Sequence, residues 1–541
     1  MKKTKIRLFI ICAVAVLMCG AFMGVLATAD GAENGLFCAS VKGAVQGTAQ
    51  DAVSDTLPDT AQGTEQGALP DFEQETGDEP IIIYEQVIEV FASPQTYATA
   101  RAKAVDQGMV DYMAQGCAAG LTDIPLYSKG YRITKNELYN TIRYMIYDYP
   151  ELFYLENRYS YSYYGDYVYS YLPLYKYTGD ARAAAVSEFN ALLDAIMAHA
   201  PRFATDFEAL LYYHDYIVAN FEYDTSYQIY DAYTMLKQKK GVCQAYTLLY
   251  ASILDRLGIE NTAAISEDMN HVWNVVSLDG EWYFADLTWD DPIYDVKGRV
   301  CHYYFLCSED FPSHHGWVFV DGEEKQFSDT YDEAFFKSID CPMHVWDGGI
   351  YYLDPTNSYV MRIDTRTKEF TALFYVDTNA YIHGSGGAGY YGSFSGFCGY
   401  GNKLYYSEQN RLAATASIYE YNIETKQTTV LYTMQCEIGT AQSVYGLFSC
   451  SNTIYYLVAD SPNDRTTGTL YSFEVERWDN TQPTIMDVNG DGEITNIDLV
   501  MLVRFLSGWE IEEFVHTNAD VNCDDKINNR DAIALVAHLA A

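Results

Sequence analysis

Three residues in the middle of the chain have the types needed for thiol acyl transfer: Cys243 as nucleophile, His271 as base and Asp286 as the acid that orients the imidazole. A cysteine attacks a carbonyl as its thiolate, so such a residue needs a positive electrostatic setting and a proton acceptor within reach. A second set of residues suits a hard cation. The segments D-V-N-G-D-G-E-I-T-N-I-D (487–498) and D-V-N-C-D-D-K-I-N-N-R-D (520–531) place oxygen side chains at positions 1, 3, 5, 9 and 12, the spacing that wraps Ca²⁺. The ligand positions are Asp487, Asn489, Asp491, Glu493, Thr495 and Asp498 in the first copy. In the second they are Asp520, Asn522, Asp524, Lys526, Asn528 and Asp531, position 7 of each loop serving through its backbone carbonyl. The copies lie 33 residues apart and each runs into an apolar helical pattern, so two bound Ca²⁺ ions are expected.

The thiol, imidazole and carboxylate come from one helix and one hairpin. Gly241 breaks the incoming chain, apolar residues recur at Leu248, Leu249, Ile253 and Leu257, and Gly258 stands where a left-handed cap belongs. This predicts a helix of about four turns starting near Cys243, whose free N–H groups and dipole favour the thiolate. Asp279-Gly280, between runs rich in Val, Trp, Tyr and Phe, predicts a two-residue hairpin turn. Residues whose numbers sum to 559 then lie opposite each other, so Trp273 faces Asp286 and His271 faces Thr288. His271 and Asp286 become diagonal neighbours on one face, close enough to meet.

Those same residues carry a resemblance. G-V-C-Q-A-Y, H-V-W-N-V-V-S-L-D-G-E-W-Y and A-D-L-T-W-D-D-P resemble the core motifs of the transglutaminase-like superfamily, which is papain-like in fold. Y-D-A-Y-T-M-L (230–236) and Y-Y-F-L-C-S-E-D-F (303–311) resemble its flanking segments. The resemblance implies Cys243 as nucleophile, His271 as base and Asp286 as orienting acid, with no cofactor in the catalytic domain. The superfamily holds transamidases, proteases, deglycosylating amidases and non-catalytic members. The backbone N–H of Cys243 is available as one oxyanion donor, and Tyr233 is the side-chain candidate for a second. Residues 484–541 resemble a type I dockerin, the calcium-loop module that docks onto cohesins of scaffoldins in cellulosome-like assemblies. Loop positions 10 and 11, where partner specificity tends to lie, are Asn496 and Ile497, then Asn529 and Arg530.

A chain of 541 residues with net charge −40 is multidomain and is no partner for nucleic acid or an anionic membrane. Lys2, Lys3, Lys5 and Arg7 precede an apolar run ending in Ala27-Thr28-Ala29, which reads as a secretory signal over 1–29. Membrane attachment follows only if that segment stays uncleaved. Residues 30–80 carry eleven carboxylates against Lys42 and read as a disordered linker. From 81 to 320 the catalytic region is preceded by helical patterns at 95–114, 135–146, 181–198 and 206–219 and by a Tyr-rich hairpin turning at Gly165-Asp166, either an aromatic platform or a half-buried hairpin. From 321 to 480 the motifs G-G-I-Y-Y-L-D, N-K-L-Y-Y-S-E and N-T-I-Y-Y-L-V recur about every fifty residues, predicting blade-like antiparallel units, either an incomplete set of blades or a small sandwich. Of twelve cysteines, ten lie beyond the signal, scattered rather than at metal or disulfide-framework spacings.

The expected architecture is an α+β papain/transglutaminase-like core, an antiparallel β repeat domain resembling propeller blades and an all-α calcium-loop dockerin. The expected function is that of a secreted, scaffold-tethered thiol enzyme acting on protein or peptide amides as protease, amidase or transamidase. The rival expectation is a non-catalytic binding or structural component of the same assembly, contributing to polysaccharide breakdown.

Overall fold

The computed structural model describes residues 83–87 and 105–540, with gaps at 292, 294, 311–313, 378–395, 411–412, 438–441, 461–467, 478–485, 490–493, 510, 512–513 and 522–525. By backbone contacts the chain divides into Met1–Gly77 and Asp78–Ala541, and all that follows concerns the second unit. The signal segment, the linker, the helical stretch 95–104 and the loop residues Asp491, Gly492, Glu493, Asn522, Asp524 and Asp525 lie outside the described residues. Among the described residues no helix is long and apolar enough to cross a membrane.

The first sheet has the order β1-β3-β4-β2, from β1 (Ile83–Val87), β2 (Ile124–Pro125), β3 (Leu155–Tyr164) and β4 (Tyr167–Tyr175). Helix α1 (Gln107–Ala119) starts where Asp106 accepts the N–H of Met109, and α2 (Lys135–Asp148) starts in a capping box between Thr134 and Glu137. The hairpin turns on Gly165, which takes φ +57°, as the first central residue of a type II′ turn must. Tyr159, Tyr161 and Tyr171 are buried in the core. Tyr127 and Tyr169 stack 4.3 Å apart, and Arg132 lies 3.5 Å over the Tyr127 ring. The hairpin is therefore half buried, with a ring face already covered.

Helices α3 (Gly179–Met197), α4 (Asp206–Asn220), α5 (Ala232–Gln238) and α6 (Cys243–Leu257) lead into the region of Cys243, His271 and Asp286, with short strands β5 (Glu222–Tyr223) and β6 (Lys240–Gly241) pairing in parallel between them. In α6 every residue from Gln244 to Leu254 is buried. A helix buried on all sides belongs in a core, and α6 packs between α4, α5 and the sheet. That sheet has the order β10-β9-β8-β7-β11, from β7 (Asn261–Ser266), β8 (His271–Leu278), β9 (Glu281–Ala285), β10 (Phe305–Cys307) and β11 (Trp317–Phe319). Asp279 and Gly280 take φ of +54° and +87°, both positive as a type I′ turn requires. Helix α7 (Leu287–Asp290) follows β9.

Beyond residue 340 come three antiparallel sheets. The first runs through β12 (His344–Trp346), β13 (Gly349–Leu353), β14 (Tyr359–Asp364) and β15 (Phe370–Tyr375). The second runs through β16 (Phe397–Tyr400), β17 (Lys403–Asn410), β18 (Thr415–Asn422) and β19 (Thr428–Gln435), and the third through β20 (Ser443–Cys450), β21 (Thr453–Ala459) and β22 (Thr469–Glu474). The recurring Tyr-Tyr motif forms the second strand of each, and the fourth strand of the first two carries an extra residue at matching places, Leu373 opposite Val360/Met361 and Leu431 opposite Ile418/Tyr419. At the C-terminus α8 (Asn496–Leu506), α9 (His516–Ala519) and α10 (Asn529–Ala540) enclose Val488, Leu502, Ala519, Val521 and Leu535. Arg530, at the start of α10, forms an ion pair with Asp206 at the start of α4.

Candidate active site

Cys243 is the first residue of α6, after an extended Val242 that offers no side-chain cap. The preceding glycine is required by close approach: a Cβ at Gly241 would stand 2.6 Å from that of Ala245 and 2.9 Å from the sulfur of Met235. The first turn of α6 is tied to β8 by Thr247, whose hydroxyl donates to the carbonyls of Cys243 (2.9 Å) and Val272 (3.3 Å). Asn274 on β8 donates back to the Thr247 carbonyl at 3.0 Å. These bonds fix the start of the helix against the strand that opens with His271.

The hairpin register is the expected one from Asn274↔Ala285 to Leu278↔Glu281. It stops there. The N–H of Asp286 turns to the carbonyl of Tyr304 at 3.1 Å, and Thr288 lies in α7. The expected pairing of His271 with Thr288, and of Trp273 with Asp286 as strand partners, is therefore not made. The side chains nevertheless meet, for His271 Nε2 donates to Asp286 Oδ2 at 2.6 Å. Nε2 is so engaged, and Cys243 lies near enough to the ring for its thiol to raise the imidazole pKa.

Asp286 is fully buried and also accepts from His314 Nε2 at 2.9 Å and, through Oδ1, from the N–H of Trp289 at 3.2 Å. Burial alone would raise its pKa, but the charge and hydrogen bonds of His271 and His314 outweigh it and bring the carboxyl down to about 2. Burial alone would lower His271, and here the charge and hydrogen bond of Asp286, with those of Cys243, win and push the imidazole up to about 10. The Trp289 ring stacks on both imidazoles, 5.0 Å from His271 and 4.7 Å from His314.

Sequence reasoning missed His314. It sits in S-H-H-G-W and reaches the site because β11 pairs with β7, a contact no local pattern announces. It missed also that Tyr147 and Tyr223 lie near enough to Cys243 for a thiolate there, after burial, to raise their pKa values. Tyr233, the expected second oxyanion donor, is placed elsewhere. Its hydroxyl donates to Glu188 at 2.5 Å and accepts from Lys237, and its ring packs on Phe153 and Phe189.

A second buried network adjoins the first. His214 on α4 bonds Asp215 through Nδ1 (2.8 Å) and Asp290 through Nε2 (3.1 Å), while His302 bonds Asp215 through Nε2 (2.9 Å) and donates from Nδ1 to the carbonyl of Ile339 (2.8 Å). His271, Asp286 and His314, like His214, Asp215 and His302, bring possible metal-ligand atoms within 4.8 Å of one another. Contacts of 2.6 to 3.1 Å account for both groups as hydrogen-bonded networks.

In the C-terminal loops Asp498 and Asp531 are fully buried and Asp487 nearly so. Asp498 accepts the N–H groups of Asn489 (3.1 Å) and Thr495 (2.7 Å), and Asp531 that of Asn528 (2.7 Å). Carboxylates buried at the closing position of both loops, beside oxygen donors, fit a bound Ca²⁺. Asp520, Lys526, Asn528 and Thr495 are described around them, and the remaining expected ligands fall in the gaps. Of the expected recognition positions Asn496, Ile497 and Asn529 are exposed, whereas Arg530 is half buried against Asp206.

Residues 198–287, which include Cys243, His271 and Asp286, match the family model of the transglutaminase-like superfamily, and residues 485–540 match that of the dockerin type I domain. The chain thus carries a transglutaminase-like domain and a C-terminal type I dockerin. A comparison with curated proteins found no match. A solved structure described as "Crystal structure of a TGase" is similar at 13% identity and a TM-score of 0.18, over 35% of this chain and 49% of that one. The alignment thus spans about half the length of that structure.

Proposed function

We propose that the chain is a secreted thiol enzyme that acts on protein or peptide amides and is held on a cohesin-bearing, cellulosome-like scaffold by its calcium-loaded dockerin. The observation that carries the reading is the buried pair of His271 and Asp286 at 2.6 Å, with Cys243 at the start of α6 close enough to the ring to raise its pKa. In this reading the Cys243 thiolate adds to the amide carbonyl, and the backbone N–H of Cys243 at the start of α6 donates to the oxygen. The C–N bond breaks as His271 passes the Nδ1 proton to the leaving amine. Asp286 keeps its bond to Nε2 throughout, which fixes the tautomer. Water or an amine then adds to the thioester with His271 as base, giving hydrolysis or transamidation. Asp487, Asn489, Asp498, Asp520, Asn528 and Asp531 are among the residues that would hold the two Ca²⁺ ions, whose charge stabilises the folded dockerin.

The division proposed is a catalytic region over 81–320, a β repeat domain over 321–480 and a dockerin over 484–541. The strand motif shared by the three sheets and the matching bulges of the first two support reading 321–480 as blade-like units that display the enzyme to large substrates. Iodoacetamide labelling of the secreted protein at pH 6, with and without Cys243→Ala, tests the reading. Labelling concentrated on Cys243 is expected. Equal labelling of the half-exposed thiols Cys243, Cys301 and Cys450 favours the non-catalytic component instead.

A further inference from the structure

The network of His214, Asp215, His302 and Asp290 is buried to the last atom of its rings and is used by no step above. Its contacts fix how many protons it holds. Four of them, Asp290–His214, His214–Asp215, Asp215–His302 and His302–Ile339 carbonyl, each need one hydrogen. Two neutral imidazoles bring one hydrogen each, and two carboxylates bring none. Two further protons must therefore reside in the network, offsetting both carboxylate charges. The Ile339 carbonyl cannot bring a hydrogen and, despite its burial, Asp215 is held low by its two imidazole partners. We therefore place the protons on the rings, although burial raises Asp290 and draws the one it shares with His214 toward its oxygen. The remaining acceptor positions are also taken: Asp215 Oδ2 accepts the N–H of Met343 at 2.6 Å and Asp290 Oδ1 that of Tyr304 at 2.9 Å. None of these four side chains is among the buried groups left without a partner in the described residues.

The network leads to Asp286 through the backbone. Tyr304, held through its N–H by Asp290, offers its carbonyl to the N–H of Asp286 at 3.1 Å. The N–H of Asp290 itself bonds the Asp286 carbonyl at 3.1 Å. Both backbone polar groups of Asp286 are thus set by Asp290 and by the strand segment Asp290 holds. His214, rising from α4, anchors Asp290 from behind.

We propose that His214 and His302 are positioning residues for Asp286, joined with Asp215 and Asp290 in a buried four-proton network that is electrically neutral as a whole. The proposal rests on the reading of Asp286 as the acid that orients His271. Burial alone would depress His214, but its bonds to Asp215 and Asp290 push it up to about 9, in keeping with the proton count. The segment 339–343, which leads into β12, is tied to the same network, so the first β sheet and the catalytic hairpin share one polar anchor.

The test uses the intact chain labelled with ¹⁵N-histidine and the rate of Cys243 alkylation by iodoacetamide. The signals of His214 and His302, assigned by His214→Gln and His302→Gln, should show hydrogens on both ring nitrogens, as the contacts of the two rings require. A single neutral tautomer in either ring overturns the proposal, and so does zinc found in one-to-one ratio with the protein. His214→Leu should slow alkylation of Cys243 at least tenfold. Asp290→Asn, whose amide can still accept from Tyr304 and donate to a neutral His214, should slow it by only about threefold while removing one hydrogen from the His214 ring. Equal slowing in the two variants shows that charge rather than placement matters and overturns the positioning role. These ratios are separate from the function itself, which fails only if wild-type Cys243 reacts no faster than the other thiols.

Discussion

Asp286→Asn isolates the role of the buried acid. The carboxylate receives two imidazole N–H groups on Oδ2 and the N–H of Trp289 on Oδ1, so it accepts on both sides and donates on neither. An amide must turn its NH₂ to one of those sides. Turned to the imidazoles, it forces His271 to give up its Nε2 hydrogen, the wrong tautomer for catalysis. Turned to Trp289, it loses only the cap of a short helix, about 1 kcal/mol. The second orientation therefore wins and the fold survives. The lost charge matters more. His271 stands at about 10 against an ordinary 6.5, a difference of about 5 kcal/mol, and with Asp286 neutral the burial that lowers the imidazole is left to dominate. At pH 7 the ring should then be neutral and the thiol beside it without a cation. Alkylation of Cys243 at pH 6 to 7 should slow at least a hundredfold, and turnover of a substrate should fall by roughly 10⁴, as for the equivalent change in a serine triad. Stability should shift as well. In the wild type the His271 contribution is complete below about pH 6.5 and is lost as pH rises through about 10. That of Asp286 is complete above about pH 4 and is lost as pH falls through about 2. Melting temperatures across pH 2 to 11 should show both limbs in the wild type and neither in the variant. An alkylation profile of the variant that superimposes on the wild type would refute the argument.

Two further outcomes are expected. Gly446→Ala should lower stability by about 2 kcal/mol or more, because Gly446 takes φ +61° and its Cβ would stand 2.5 Å from the Lys297 carbonyl oxygen; an unchanged denaturation midpoint would mean that the 297–298 loop simply gives way. In the calcium module the second loop has Asp525 where the first has Gly492, a backbone cost on the order of 1 kcal/mol. Calorimetry on the intact chain should therefore find two Ca²⁺ sites with the second weaker by up to about tenfold, and Asp525→Gly should narrow the gap. Tighter binding at the second site would show that the added carboxylate dominates.

The sequence disclosed what local physics controls. Gly241 and Gly258 bracket α6, which starts at Cys243 after Val242 and is capped by Gly258, and Asp279-Gly280 set the register of β8 on β9 because a two-residue turn leaves no freedom to slip. The Tyr-Tyr motifs marked the second strand of each repeat. The short first strands were not read, since H-V-W and F-C-G-Y are too brief to show a period. What failed was set by distant residues. Asp286 leaves its strand because Tyr304 takes its N–H, His314 arrives on the far edge of the sheet, and Tyr233 is drawn off by Glu188 on α3. The four-proton network was equally hidden, its members coming from α4, α7 and the loop before β10.

With Ile497 and Arg530 serving in recognition, as their loop positions lead us to propose, the ion pair between Arg530 and Asp206 makes the two dockerin repeats unequal competitors for a partner. Ile497 is 57% exposed and open to contact at once, whereas its counterpart Arg530 must first be released from a carboxylate of the same chain. A half-exposed pair of this kind is worth about 1 kcal/mol, which keeps roughly five molecules closed for each one open. Apparent affinity through the second repeat is multiplied by the open fraction, about one in six, so it falls about sixfold relative to the first, and added salt, by weakening the pair, restores it.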